Sequence, residues 1–391
     1  MSSDLRRHRA AIAAMFFVNG TLFATWVSRI PSIKETMGPS EARLGIALLA
    51  IGVGTLSALP LTNWLIARHG SRWVVSASAI ACCTTLPLAG GAPSFRWLVL
   101  VLALFGAGLG SMDVAMNSQA ALLERTAGRS IMSSFHGLWS LGGLVGASLG
   151  GGFAAQGDSP HAHFLVVCAT LALVALGATR GLVRDGGVPS SPAPLAWPSR
   201  AVLAIGLVGT GGAVIEGGIA DWSGVFLRDA LGTSAGFAAS GFAAFSLAMM
   251  VGRFTGDLLI DRFGGMALLR TGSVLTGAAV ATALLWGDPH VAVGAFALAG
   301  LGMSTVFPIN PQRRRKFARR RTGAGHRGRG DDGLRRRLDG AARDRLCRVR
   351  HLAAGRPRPA GADLRRNRCA RAVGNPRALS GAAAGHVPCG R

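Results

Sequence analysis

Residues 256–264 read GDLLIDRFG, and the closing six, LIDRFG at 259–264, repeat LIARHG at 65–70 with an offset of 194. Each copy ends one long apolar run and opens the next, so each is a turn between two helices. Gly70 and Gly264 supply the backbone freedom that a sharp reversal and close helix ends require. Two further landmarks recur in the same order: Trp26 as Trp222 at an offset of 196, and GLG at 108–110 as GLG at 300–302 at an offset of 192. Three ordered matches at nearly one offset describe two parallel halves.

Around these landmarks the chain is apolar. Half of its 391 residues are hydrophobic and 56 are glycine, which is not a soluble composition. Ten apolar runs precede residue 311, at 10–28, 42–66, 73–91, 95–120, 131–152, 164–181, 201–227, 235–258, 266–286 and 291–309. They have the length of membrane-spanning helices, and their glycines and alanines suit close helix packing in lipid. The first run lacks a small-residue cleavage site, so a membrane helix is expected there rather than a cleaved signal peptide.

The net charge of +24 suggests nucleic acid until it is located. Residues 311–391 hold 23 Arg and one Lys against five Asp, which leaves only +5 on the first 310 residues. Within those residues the Arg-rich connections alternate with poor ones. Arg6, Arg7, Arg9, Arg68, Arg72, Arg125, Arg129, Arg180, Arg184, Arg200, Arg262 and Arg270 fall on one side. By the positive-inside rule that side, with the N-terminus, is cytoplasmic, and a multi-pass protein of the cell (inner) membrane is expected. The Pro/Ser-rich stretch at 183–200 reads as a cytoplasmic linker. The domains expected are a six-helix bundle at 1–182, that linker, an incomplete four-helix bundle at 201–310, and a tail at 311–391.

Residues 106–124, GAGLGSMDVAMNSQAALLE, carry Asp113, Asn117 and Gln119 at the far end of a greasy helix. Asp113 and Asn117, four apart, share a helix face. A carboxylate at membrane depth is costly and marks a pathway or coupling site by default, against the plainer role of a helix–helix hydrogen bond. Glu216, inside the seventh run, is the equivalent candidate in the second half, and burial brings such carboxyls towards titration near neutral pH. Asn19 sits mid-helix, able to bond a solute or a neighbouring helix. Asp221 and Trp222 are expected at the outer end as a gating or interfacial pair, and Arg29 at the membrane interface. His136 is expected to pack against a loop. By the offset of 192, Asp113 falls opposite Thr305, so the carboxylate belongs to the first half alone.

The stretch from Gly256 through Asp261 and Arg262 to Gly264 resembles the G-x-L-x-x-D-R-x-G loop signature of the major facilitator superfamily. Arg68 and Gly70 keep part of it in the first half, with Ala67 in place of the acid. FFVNGTLFATWVSRIP at 16–31, DVAMNSQAALLE at 113–124, SSFHGLWSLGGLVG at 133–146 and EGGIADW at 216–222 are similar to the fucose-permease-like branch. The resemblance implies an all-α integral membrane fold of two helical bundles with twelve helices. It further implies alternating access and, for many members, proton-coupled uptake or export of a small polar solute; the branch contains sugar transporters and many members without an assigned solute. Its loop motif implies a latch, made by charges that hold one face closed.

Ten of the twelve helices are present. At the offset of 192, the fifth and sixth runs would recur near 323–344 and 356–373, where the chain is Arg-rich. A genuine basic tail would be disordered and would bind anionic lipid or RNA. A frameshift in a GC-rich gene accounts better for its abrupt start and composition, so no nucleic-acid partner is expected. Cys82, Cys83, Cys168, Cys347, Cys369 and Cys389 show no metal-ligand spacing. No nucleophile–base, metal or phosphate motif is present. A monomeric proton-coupled carrier in the lipid bilayer, with no cofactor or metal and no enzymatic activity, is the expected function, impaired in this chain as written. The rival is a non-transporting membrane sensor or scaffold with a basic tail.

Overall fold

The computed structural model describes residues 3–128, 131–186 and 200–304. The linker at 187–199, Thr305 and the tail from 311 lie outside the described residues, as do the side chains of Arg200, Ala201, Val202, Ala204, Ile205, Asp257 and Asp261. Every regular element described is helical. The first half holds α1 (Ser3–Val27), α2 (Ile30–Met37), α3 (Glu41–His69), α4 (Ser71–Gly90), α5 (Phe95–Ala127), α6 (Met132–Ala155) and α7 (Pro160–Thr179). The second holds α8 (Arg200–Val225), a π-turn (Phe226–Ala230), α9 (Ala235–Ala238), α10 (Ser240–Phe263), α11 (Gly265–Trp286) and α12 (Pro289–Met303). Among the described residues, eight helical stretches are long and apolar enough to cross a membrane, and α12 is a shorter apolar helix.

Local chemistry sets the ends. Ser40, Ser94, Ser159 and Ser234 cap α3, α5, α7 and α9, each accepting the backbone N–H three residues on. Asp288 caps α12 through the N–H groups of His290 and Val291 at 2.8 and 3.0 Å. These side chains satisfy donors that a helix start otherwise leaves without partners. At the opposite turns, Gly70 and Gly264 adopt φ of +85° and +83°. Their N–H groups return to the Ile66 and Ile260 carbonyls at 2.9 Å. The repeated LI-x-R-x-G motif therefore folds into one turn made twice.

Packing repeats at the same spacing. A Cβ on Gly106 of α5 would run into the Ile51 carbonyl of α3, and a Cβ on Gly300 of α12 into the Phe245 carbonyl of α10. Both members of these pairs are 194 residues apart. In lipid, close backbone approach is a main source of helix association, which is why small residues occupy these crossings. α1 is clasped the same way: Gly20 abuts the Trp139 carbonyl, and Gly142 and Gly146 of α6 abut Phe17 and Thr21. α6 continues across to the second half, where Gly151 meets Gly236 and Gly143 faces Ser246 of α10.

Candidate functional site

The two halves meet on polar side chains in the middle of α1, α5, α6, α8 and α10. The centre is Arg253, whose guanidinium is buried and lies over the Trp139 ring at 5.5 Å. It donates to the Ser140 hydroxyl at 2.6 Å and to the His136 carbonyl at 3.4 Å, both in the other half. Within its own half it pairs with Glu216 at 3.5 Å. A buried cation is tolerated only with such partners.

The network continues through Trp139. Its indole N–H donates to Asn19 Oδ1 at 2.8 Å, and the Asn19 amide donates to the Leu109 carbonyl at 3.4 Å. Phe23 stacks on Trp139 at 5.9 Å and meets Phe242 of the second half edge-on at 6.0 Å. On α5, Asn117 donates to the Asp113 carboxylate at 3.1 Å and to its carbonyl at 2.9 Å. Asp113 is exposed and has no ion-pair partner among the described residues. It lies within electrostatic reach of Glu216. The site thus sets two carboxylates, one cation, three amide or indole groups and aromatic faces around the junction of two bundles. That set can hold a polar solute and move a proton.

One end of this junction is closed by charge. Lys34 of α2 pairs with Asp229 at 2.6 Å, and Arg228 pairs with Glu35 of α2 at 2.5 Å. Arg228 also donates to the Thr233 carbonyl at 2.6 Å. The π-turn carries both Arg228 and Asp229, and both reach α2. Gly224 packs on Pro31 beside them.

Several residues sit elsewhere than expected. Gln119 is buried away from Asp113. It donates to Ser71 and to the Val183 carbonyl at 2.8 and 3.0 Å, and accepts the Val183 N–H at 2.8 Å. Six residues along a helix turn it to the far face, where it ties the segment after α7 to α4 beside Asp185. Arg29 is not a free outward-facing charge: it is buried and donates to the Asp158 carbonyl, in the turn between α6 and α7. His136 meets Phe16 edge-on at 5.4 Å and lends its carbonyl to Arg253, an arrangement inside the junction rather than against a loop. Asp221 has no side-chain partner among the described residues, and Trp222 lines an apolar cleft with α11. Arg68 and Arg262 stack on Trp64 and Phe263 of their own helices at 5.3 and 5.5 Å. Nothing lies within 4 Å of a Cβ on Gly256. The Asp261 side chain, on which the expected latch depends, lies outside the described residues.

Arg253 and Ser140 were not singled out in the sequence. The signal was present, since an Arg inside the run 235–258 is unusual. Its nearness to the run's end made it resemble a flanking charge.

Residues 11–325 match the family model of the Major Facilitator Superfamily. An uncharacterised MFS-type transporter of Yersinia pestis is 35% identical over 297 residues, 75% of this chain and 77% of the relative. The membrane protein MosC of Rhizobium meliloti is 32% identical over 306 residues, 76% of this chain and 73% of the relative. Among solved structures, a variant of the nucleoside transporter NupG superposes with a TM-score of 0.61 at 14% identity, covering 76% of this chain and 80% of that one. FucP in its outward conformation gives 0.54 at 18% identity, covering 76% and 82%.

Proposed function

Because the chain belongs to the major facilitator superfamily, we propose that its junction site carries a small polar solute, sugar-like in character, by proton-coupled alternating access. Members of this family are membrane transporters and not enzymes. The observation that carries the finer reading is Arg253, a buried cation joined to Glu216 in its own half and to Ser140 and His136 in the other. Rocking one half against the other must break one set of these bonds. Protonating Glu216 weakens its hold on Arg253, and Asp113, facing the opening, supplies a second carboxylate. Solute hydroxyls would find Asn19, Asn117 and the Trp139 face there. The inference from the arginine pattern, that the N-terminus is cytoplasmic, puts the Lys34–Asp229 and Arg228–Glu35 pairs on the outer side of the inner membrane. The state described is then closed outside, with Asp113 reached from the cytoplasm.

Among the described residues the second half holds four long helices, α8, α10, α11 and α12, against six long ones in the first, and the Arg-rich sequence that follows supports the reading that the chain as written is impaired. The test is uptake of a panel of labelled polyols, sugars and nucleosides into vesicles under an imposed proton gradient. It compares the chain as written with a version in which a single-base shift after codon 309 restores apolar sequence. Proton-driven uptake by the restored form, lost in Asp113→Asn and Arg253→Gln, is expected. Uptake by the restored form that keeps its pH dependence in Asp113→Asn would remove Asp113 as the coupling group.

A further inference from the structure

We propose that the adjoining ends of α1 and α7 hold the phosphate of an anionic phospholipid. Its headgroup sits between Arg7, Arg180 and Arg184, and an acyl chain lies along α7.

The site begins as a contact between helix ends. The last carbonyls of a helix find no partner within it. Past the end of α7, the Arg7 guanidinium of α1 donates to the Arg180 carbonyl at 3.1 Å. His8 donates through Nδ1 to the Gly181 carbonyl at 2.7 Å. Beside these two bonds lies a cavity of about 410 Å³, lined by Arg7, His8, Arg180 and Arg184, with one acid, Asp4, among others. Val183 also lines it, and both its N–H and its carbonyl are held by Gln119 of α5. A headgroup seated there bridges α1 to the segment that leaves α7 for the linker.

Capping accounts for Arg7 and His8, but not for the side chains of Arg180 and Arg184. Among the described residues, none of the three guanidiniums pairs with a carboxylate. Three cations around one cavity repel one another, and Asp4 alone does not balance them. Arg68 and Arg262, by contrast, stand singly, each stacked on an aromatic ring of its own helix. A phosphate supplies the missing counter-charge, and the forked N–H donors of arginine match its oxygens in pairs.

The surface of α7 decides for a lipid over a free phosphate. Val166, Leu173 and Leu176 are exposed. Arg180 follows Leu176 by four residues and keeps right-handed helical backbone, so it continues the same face. The stripe is apolar along its length and ends in a cation, the order in which a phospholipid presents acyl chain and phosphate. Basic pockets at the ends of membrane helices take anionic headgroups for this reason. A soluble phosphate fills the cavity and leaves the stripe unused.

The test reads position and does not depend on transport. The full-length chain is placed in phosphatidylcholine nanodiscs with a trace of phosphatidylglycerol carrying a diazirine in its acyl chain. After illumination, mass spectrometry maps the adducts, and the same diazirine on phosphatidylcholine is the comparison. Mapping separates this pocket from the basic segment at 311–391, which attracts anionic lipid without a fixed place. Adducts at 166–180 are expected to be about tenfold stronger from phosphatidylglycerol. Arg7→Gln with Arg180→Gln and Arg184→Gln should remove that excess and leave adducts on the exposed Leu49 and Leu56 of α3 unchanged. Arg184→Gln alone, which breaks no contact among the described residues, should lower the excess about fivefold. Arg68→Gln with Arg125→Gln and Arg270→Gln removes equal charge on the same arginine-rich side and should leave the excess intact. A further arm adds inorganic phosphate alone. Four results overturn the proposal: equal adducts at 166–180 from both lipids, an unchanged excess in Arg184→Gln, an equal loss in the control triple variant, or displacement of the excess by inorganic phosphate, which assigns the cavity to a soluble anion.

Discussion

Lys34 of α2 and Asp229 of the π-turn meet at 2.6 Å, a contact between residues of opposite halves. With Arg228–Glu35 at 2.5 Å it closes one end of the junction. Both pairs are partly exposed, and such pairs contribute about 0.2–1 kcal/mol each. Removing one should therefore open this end only up to about fivefold more often. Lys34→Ala with Arg228→Ala should act more strongly. The readout is the rate at which a water-soluble thiol reagent labels Thr25→Cys, at a fully buried site near the end of α1 that leads into α2. The charge swap Lys34→Asp with Asp229→Lys should restore slow labelling. If the swap labels as fast as the single variants, the contact is not a gate.

Arg253 and Glu216 invite a double-variant comparison. Stranding one charge of a buried pair costs about 3–5 kcal/mol, while replacing both by neutral groups is far milder. Arg253→Met alone and Glu216→Gln alone should each lower the thermal midpoint in detergent. Arg253→Met with Glu216→Gln should recover part of that loss. Ser140→Ala should cost about 1–3 kcal/mol, because it leaves a charged donor without its hydroxyl acceptor. Simple additivity of the two single losses would mean that the pair is not coupled as the 3.5 Å separation implies.

The close crossings at Gly106 and Gly300 are predicted to be equally intolerant. A side chain at either runs into a backbone carbonyl, of Ile51 or of Phe245. Gly106→Val and Gly300→Val should each destabilise by about 1–3 kcal/mol or more through overpacking. Gly277→Val, where nothing lies within 4 Å, is the control and should be nearly silent in the same thermal assay. A large loss at Gly277 and none at Gly300 would break the equivalence of the two crossings.

The repeat was legible because it depends on turn chemistry and close packing. Gly70 and Gly264 hold positive φ, which glycine adopts without steric cost, so that turn survives in the letters; the close crossings pair Gly300 with Gly106, two residues from the Gly108 that the GLG match assigned to it. Asp113 and Asn117 were legible as a pair because they are one helical turn apart. Gln119 was not separable from them, since its destination, Ser71 and Val183, is set by tertiary packing. Arg253 hid because distance from a run's end is a poor guide to depth. The π-turn at Phe226–Ala230 was invisible, since nothing in FLRDA distinguishes an i→i+5 hydrogen bond, such as Leu231 N–H to the Phe226 carbonyl, from an i→i+4 one. Its consequence, two charges aimed at α2, arises only from the packed geometry.

Asp288 gives a pH-dependent prediction outside the membrane spans. Its carboxyl is held below the ordinary carboxylate range, first by the Val291 N–H and further by that of His290. A carboxyl whose folded pKa is depressed stabilises the cap above its unfolded value, about 3.9, and that stabilisation is lost as pH falls through the folded value. The start of α12 should therefore be protected at neutral pH and fray in acid below about pH 4. Asp288→Asn keeps an acceptor for both N–H groups and cannot be protonated in that range, so its protection should be flat with pH. Asp288→Ala should lack protection at every pH. The measurement is amide hydrogen exchange at residues 290–292, corrected for the intrinsic exchange rate at each pH. Acid fraying of equal size in the wild type and in Asp288→Asn would show that another group controls this helix end.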